Sequence, residues 1–591
     1  MKYETTTHWD DPQASRGLVY FAQRFDELTW AYTLDSYRAP TTNPPSLIGE
    51  CISNLKLNRQ LNRPPKAVKY IVTEARLRLK ANPIATRCMT LPVDRYFEFK
   101  VEEIDASIDR LTLLARELSQ QTYLSACMSH LIEVVPTHRK SEIDFAVREL
   151  ASTLLNIGFS AKHLSEVCKS HFFSTNNVVS GSESLLEFLA ELRPQMAKYS
   201  VYFDADSKIK ELNPEFREGF SVNEINAYPK KVKSAAIKQS CALPNKSYKI
   251  VVFNKIEALD KYGALSKAQA RLNWIHDIYG LFRHRNSLAI ATDAVVVTND
   301  EVIISVVRTD GNHMHRISDN RKQQANTKLA EMLVDLRLPR HSDKNRFFRV
   351  INFHGLAART SSAENQLINL WTALETITSS HSSGASIVDT VVRETIPIIC
   401  LNYAQRLFKS LKSDLWRWDK KRLIETLKKC PDSDKRDLTE SVFNLIIAVE
   451  NDEIKEDFLG SIDDFELMRY RLFALNKAFK TGAKIKEKIE RHEQLVSWQI
   501  HRIYRARNQI VHSSHPGSNL DSLIVNAHDY FDQVFDVTAN LCSGQNGFNT
   551  YDESFNYCLL RYTEYKKQLS KIDRVAIGNA ETVLWKPKPK S

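Results

Sequence analysis

Between Lys484 and His515 the chain carries neither glycine nor proline, and the stretch closes on Pro516-Gly517. A run of that length with no breaker, ended by a turn dipeptide, predicts one long helix over Ile485 to Ser513. At 3.6 residues per turn, Val496, Ile500, Ile503, Tyr504, Arg507 and Val511 fall on or near one face, while His501, Arg505, Asn508 and His512 line the adjacent one. An apolar seam beside a polar stripe needs other helices to cover it, and the neighbouring sequence supplies them. Ser362 to Ile377 carries the stripe Leu367, Leu370, Trp371, Leu374 and Ile377. Helical periodicity recurs over Ile387 to Lys412 (kinked or split at Pro397), Asp419 to Leu427, Leu438 to Asn451, Phe465 to Phe479 and Leu520 to Cys542. Residues 346–545 therefore read as an all-α helical bundle. Residues 546–591 add a helix near Leu559 to Leu569 and a basic tail, Trp585 to Lys590.

Residues 1–345 read differently, as an α+β region that divides into two domains if a boundary falls near 200–245. Met1 to Pro65 mixes aromatic residues with turn formers and resembles short strands joined by loops. Helical periodicity follows over Ala67 to Ala81, Glu103 to Val135, Arg139 to Phe173 and Ser182 to Leu192. After a polar stretch from Asp204 to Pro244, Lys249 to Phe253, Ser287 to Val297 and Glu301 to Arg308 read as strands of a small sheet. Helices are expected at Ser266 to Phe282 and Arg321 to Leu336. The cluster Lys230-Lys231-Val232-Lys233 reads as a solvated loop rather than a phosphate site.

With 591 residues, 43% hydrophobic and 26% charged, the chain has the makings of several folded domains. Its net charge of +11 favours an anionic partner, nucleic acid first among them, although excess positive charge also serves solubility. Only 16 glycines occur, and neither a Walker A loop nor a dinucleotide fingerprint is present, which disfavours nucleotide hydrolysis. The nine cysteines are scattered without zinc-ligand spacing, as expected of a reducing cytoplasm. His313-Met314-His315 could place two imidazoles on one strand face, but with no third ligand in evident relation a loop is the better reading. No metal and no cofactor are expected. The start of the chain lacks a signal-peptide core, and no apolar run is long enough for a membrane span.

The polar stripe carries chemistry that RNA can use. RNA holds its own nucleophile, the 2′-hydroxyl, so cleavage needs a proton-transfer group and a cation at phosphorus. Histidine titrates near neutrality and the guanidinium fork matches phosphate oxygens, which fits His512 and Arg507 to those roles. Asn508, one turn before His512, could orient the imidazole or hold a phosphate oxygen. Arg502 and Arg505 would attract the RNA backbone. His515 is either a further phosphate contact or a polar turn residue.

Arg507-Asn508, three residues and then His512 near a helix end resembles the R-N-x-x-x-H signature of HEPN-superfamily ribonucleases. Asn369-Leu370-Trp371-Thr372-Ala373-Leu374-Glu375 is similar to the first helix of the ApeA-like HEPN group, found in anti-phage proteins. The resemblance runs from about Asn352 to Cys542. It implies a HEPN-like bundle acting as a metal-independent endoribonuclease at a homodimer interface. It also implies a role in abortive infection, with host RNA such as tRNA as substrate. Glu375 would either buttress Arg507 or be a plain surface carboxylate. Residues before 346 are expected to sense a phage-derived trigger and restrain the bundle. From another class, the alternative is a catalytically silent dimerisation or RNA-binding module.

Overall fold

The computed structural model describes residues 3–586 apart from 31–32, 34–36, 62–65, 101, 176, 206–207, 209–221, 226, 239–248, 284–289, 299–303, 309–311, 317–322, 324, 328–335, 337, 339–340, 379–385, 464, 514–518 and 545–546. The expected helix at Arg321 to Leu336 lies mostly outside the described residues. In chain order, the elements that position the site begin with α1 (Arg16–Thr29), α2 (Pro44–Gln60), α3 (Lys66–Lys80) and α4 (Ala161–Phe172). Next come β1 (Ala197–Ala205), β2 (Val222–Ile225), α5 (Lys230–Lys238), β3 (Lys249–Ala258), α6 (Lys261–Phe282), β4 (Ile290–Thr298) and β5 (Ile304–Arg308). The remainder is helical: α7 (His341–Arg359), α8 (Ala363–Thr378), α9 (Ile387–Leu427), α10 (Leu438–Ile447), α11 (Glu466–Phe479), α12 (Gly482–Ser513), α13 (Leu520–Leu541) and α14 (Tyr551–Leu569).

These elements form two compact units, and the division does not follow the boundary expected at residue 345. One unit joins residues 1–150, 178–182 and 312–591; the other holds residues 151–177 and 183–311. The first is helical throughout its named elements, including the stretch read from sequence as strands. Asn43 caps α2 by accepting from the Ser46 N–H at 3.0 Å, with Pro44 and Pro45 in the first turn, where a missing N–H costs nothing. In α1, Val19, Tyr20, Phe21, Ala22 and Phe25 are all fully buried. Its polar residues Gln23, Arg24, Asp26 and Glu27 are buried as well, so its burial rests on tertiary partners, and the run of strand formers from Val19 to Phe21 reads as strand propensity until that packing overrides it.

Buried ion pairs tie the N-terminal helices to the C-terminal ones within this unit. The Arg471 guanidinium of α11 donates to both oxygens of Glu27 on α1, at 2.6 and 2.8 Å, and lies 3.7 Å over the Tyr37 ring. Arg24 of α1 bridges the same Glu27 at 2.6 Å and Asp144 at 2.7 Å. Gln23 accepts from the Leu467 N–H at 2.9 Å, and Lys140 pairs with Glu466. Proline 397 is carried inside α9. The break in that helix comes instead at Asp419, whose backbone leaves the helical region (φ −152°, ψ 90°) and whose carboxylate caps the next turn at Arg422 N–H, 2.9 Å away.

The second unit is built on a five-stranded antiparallel sheet in the order β2-β3-β1-β4-β5. Strand alternation sends Val201 and Phe203, with Val251 and Phe253, to the face covered by Ala264, Leu265, Ala268 and Leu272 of α6. Tyr202, Ile250, Val252 and Val295 face the other way and meet Val232 of α5. Two of these strands, β1 and β2, escape the sequence reading because they border a long polar stretch. The cluster at Lys230 is the first turn of α5 rather than a loop, with its lysines exposed around buried Val232. Asp260 caps α6 through the Tyr262 and Gly263 N–H groups and also accepts from the Ser160 N–H and hydroxyl at the start of α4, all at 2.8–2.9 Å.

A chain truncated to begin at Arg346 should lose its folded state, because Arg471 would then lose Glu27, Arg502 would lose Glu50 and Glu74, and α11 its apolar cover. The expected readout is an insoluble product or one without a cooperative thermal transition; a soluble fragment that melts cooperatively would contradict it.

Candidate nucleic-acid site on the long helix

The helix α12 begins at Gly482, where an added Cβ would lie 1.8 Å from the Leu569 carbonyl oxygen and the N–H donates to Ile572 O at 2.9 Å. From there it packs against α3, α8, α9, α11, α13 and α14. Val496, Ile500, Ile503 and Ala506 point into the core, at 5% exposure or less. The apolar seam is therefore consumed within one chain as far as Ala506; of the seam residues only Val511, at 47% exposure, stands clear. Tyr504 meets Trp371 of α8 with ring centroids 5.1 Å apart, and the Trp371 indole N–H donates to Glu375 at 3.0 Å. Glu375 thus braces the indole of its own helix.

The basic stripe divides into held and available groups. Arg502, only 6% exposed, donates to both oxygens of Glu74 (2.8 and 2.9 Å) and to Glu50 at 2.9 Å. Arg505 donates to the other oxygen of Glu50, also at 2.9 Å. Burial by itself would raise the Glu50 carboxyl, yet the two guanidiniums hold it down to about 2. The structure so corrects the assignment of Arg502 and Arg505 as phosphate attractors: both charges are matched by carboxylates from α2 and α3. His501 is buried and stacks on Tyr70 at 3.9 Å, and burial together with Arg505 pushes its imidazole down to about 4.

Beyond these residues the helix opens. Arg507 is half-buried; one of its terminal nitrogens donates to Asn508 Oδ1 at 3.0 Å, and its buried Nε has no hydrogen-bond partner. Asn508 thereby orients the arginine rather than His512. His512 is exposed at the helix end, one turn past Asn508. His515 lies outside the described residues. The end of α12 thus carries an accessible imidazole five residues after a guanidinium held by its neighbour, the residue types of a proton-transfer group and an anion-stabilising cation.

A second feature escaped the sequence reading. Near the other end of α12 a groove of about 700 Å³ is lined by Lys140, Arg469, Tyr470, Phe473, Lys477, Lys484, Lys488 and Arg491, with Glu487 its carboxylate. Lys140 and Arg469 are matched by Glu466. Lys477, Lys484, Lys488 and Arg491 are exposed and have no ion-pair partner among the described residues. Desolvation of the Lys488 ammonium against the groove wall, with Arg148 and Arg491 nearby, lowers its pKa. Phe473, 56% exposed, gives the groove an aromatic surface. The spacing of Lys484, Lys488 and Arg491 by four and three residues was the available sequence signal.

No family model matches this chain, and no curated protein or solved structure is detectably similar to it. No helix among the described residues is long and apolar enough to cross a membrane.

Two outcomes test this site's electrostatics. Replacing Arg502 by alanine leaves the buried Glu74 carboxylate only the longer contact from Arg78 at 3.5 Å and should cost about 3–5 kcal/mol of unfolding free energy, measured by denaturant titration; a loss under about 1 kcal/mol would show the pair to be dispensable. Acid should act in two steps. His501 has a folded-state pKa below its ordinary 6.5, so stability falls as pH drops from 6.5 toward about 4. Glu50, lowered from 4.5, contributes stability that is complete above 4.5 and lost as pH falls through about 2. Melting temperatures followed against pH should decline over both windows, with the lower step shallower in Glu50→Gln and the upper one in His501→Gln.

Proposed function

We propose that this protein is an endoribonuclease of the HEPN kind, acting in the cytoplasm in anti-phage defence by abortive infection. The observation that carries the reading is the state of the R-N-x-x-x-H motif: Arg507 held by Asn508 with an unpartnered Nε, beside an exposed His512, on a helix whose other late arginines are neutralised. In the proposed reaction the 2′-hydroxyl of RNA attacks the adjacent phosphorus. His512 takes or returns a proton, and Arg507 stabilises the charge that builds on the phosphoryl oxygens. Each contribution is worth roughly 10²- to 10⁴-fold, so the reaction requires no cofactor. In-line cleavage benefits from both an acid and a base, and a homodimer would bring a second His512 to the same phosphate. Because Ile500 and Ile503 are core residues, such a dimer would meet at the exposed end of α12 around Val511 and His512. Host RNA such as tRNA is the proposed substrate, and a phage product the proposed trigger, sensed by the sheet-bearing unit.

The basic groove favours a second reading, an RNA-binding module that does not cut. Unmatched lysines beside an aromatic surface suit a polyanion of any sequence.

Full-length His512→Ala and Arg507→Ala should each lose at least about 100-fold in RNA cleavage without a change in melting temperature. Wild-type products should end in a 2′,3′-cyclic phosphate or its hydrolysed form. Equal cleavage by wild type and both variants would remove the motif from the chemistry. Lys484→Glu with Lys488→Glu should weaken RNA binding and flatten its salt dependence; RNA binding that requires the groove, with no cleavage by wild type, would establish the second reading.

A further inference from the structure

Away from the motif, α7 and α13 bring together three side chains with the donor atoms of a metal site. His354 Nε2 on α7 lies 3.1 Å from His528 Nε2 on α13, and His528 Nε2 lies 3.5 Å from a carboxylate oxygen of Asp532. One donor atom from each residue falls within 4.8 Å of both others. We propose that His354, His528 and Asp532 bind a divalent transition-metal ion, zinc foremost.

Spacing is the first argument. Ligands about 2.0–2.1 Å from a tetrahedral ion stand roughly 3.3 Å apart, close to the two measured separations. The third edge, within 4.8 Å, closes with a change of rotamer at Asp532, whose side chain is 45% exposed. Proton counting is the second. Two imidazole nitrogens and a carboxylate oxygen are turned to one small region, with room for one hydrogen between the rings. An ion at their centre would accept all three.

The surroundings are those of a formed site. His528 is 8% exposed, and its four-residue spacing from Asp532 puts both donors on one helical face. Phe531 stacks on the His354 ring at 5.1 Å and 14°, fixing its plane. Aspartate 529, the other nearby acid on α13, is engaged by Arg406 at 2.6 and 3.0 Å and is not a competitor for the ion. Two imidazoles and a carboxylate leave a fourth position for water, on the side where Asp532 meets solvent. This ligand set suits zinc better than magnesium or calcium, which prefer oxygen. An ion here would clamp α7 to α13, a structural task independent of the chemistry proposed at His512.

The test uses the full-length protein stripped of metal by a chelator and dialysed. Titration with Co²⁺ should develop the visible d–d bands of a four-coordinate site and be reversed by Zn²⁺. Elemental analysis after Zn²⁺ loading should give one equivalent more in wild type than in Asp532→Asn or His354→Gln. Zinc should raise the melting temperature of wild type alone. Each variant should bind weaker by more than the ~10- to 100-fold that even an outer-shell partner is worth. Asp532→Asn changes an exposed side chain, so it separates loss of the site from loss of the fold. Wild type and variants that hold equal zinc, or a wild type that gives no cobalt bands, would overturn the proposal and leave a hydrogen-bonded histidine pair.

Discussion

Buried carboxylates from the first helices meeting guanidiniums from the last ones are the constraint on which this molecule depends. Glu27 on α1 receives Arg24 and Arg471, and Glu50 and Glu74 on α2 and α3 receive Arg502 and Arg505. A charge taken out of water costs several kcal/mol unless its partner stands in place, so these pairs add little net stability over apolar packing. What they do is penalise every arrangement in which the partners are apart. Helices that could slide along an apolar seam are fixed in register by a bidentate contact with one correct geometry. The two ends of the chain consequently belong to one folding unit.

The same pairs decide which cations can serve function. Along α12 three arginines stand within six positions of one another, yet two are saturated by carboxylates and the third, Arg507, is held by an amide that leaves it positive. Arg491, at the other end of the helix, is unmatched and joins three lysines around a groove. Positive charge is thus concentrated at two places on one helix, with a neutralised segment between them. An anionic polymer would find its attraction there and not along the whole stripe.

The sheet-bearing unit is organised by different physics. Its order, β2-β3-β1-β4-β5, places β1 in the centre with helices on both faces, so its strand residues are apolar on successive positions, as Val201, Tyr202 and Phe203 show. Lys255 in β3 adopts a left-handed backbone (φ 57°) next to the register shift between β1 and β3, which bends the strand locally. Such a unit has a core of its own and can carry a separate task.

Local rules determined a good deal from the sequence alone. The absence of breakers before Pro516 dictated a helix through the motif, and the period of Leu367, Leu370, Trp371 and Leu374 dictated α8 and its buried face. The strands at Lys249–Ala258, Ile290–Thr298 and Ile304–Arg308 followed from alternation, because these signals lie within a few residues of one another. Tertiary structure supplied the partners that let α1 bury Gln23, Arg24, Asp26 and Glu27, polar residues that masked its helical period in the sequence. It alone decided that Ile500 and Ile503 are core rather than interface, and it brought His354 to within 3.1 Å of His528 from a different helix. Most of all it decided which arginines are free: Glu74 stands 428 positions from Arg502 and Glu50 stands 455 from Arg505, and no pattern along the chain records a neutralising charge at that separation.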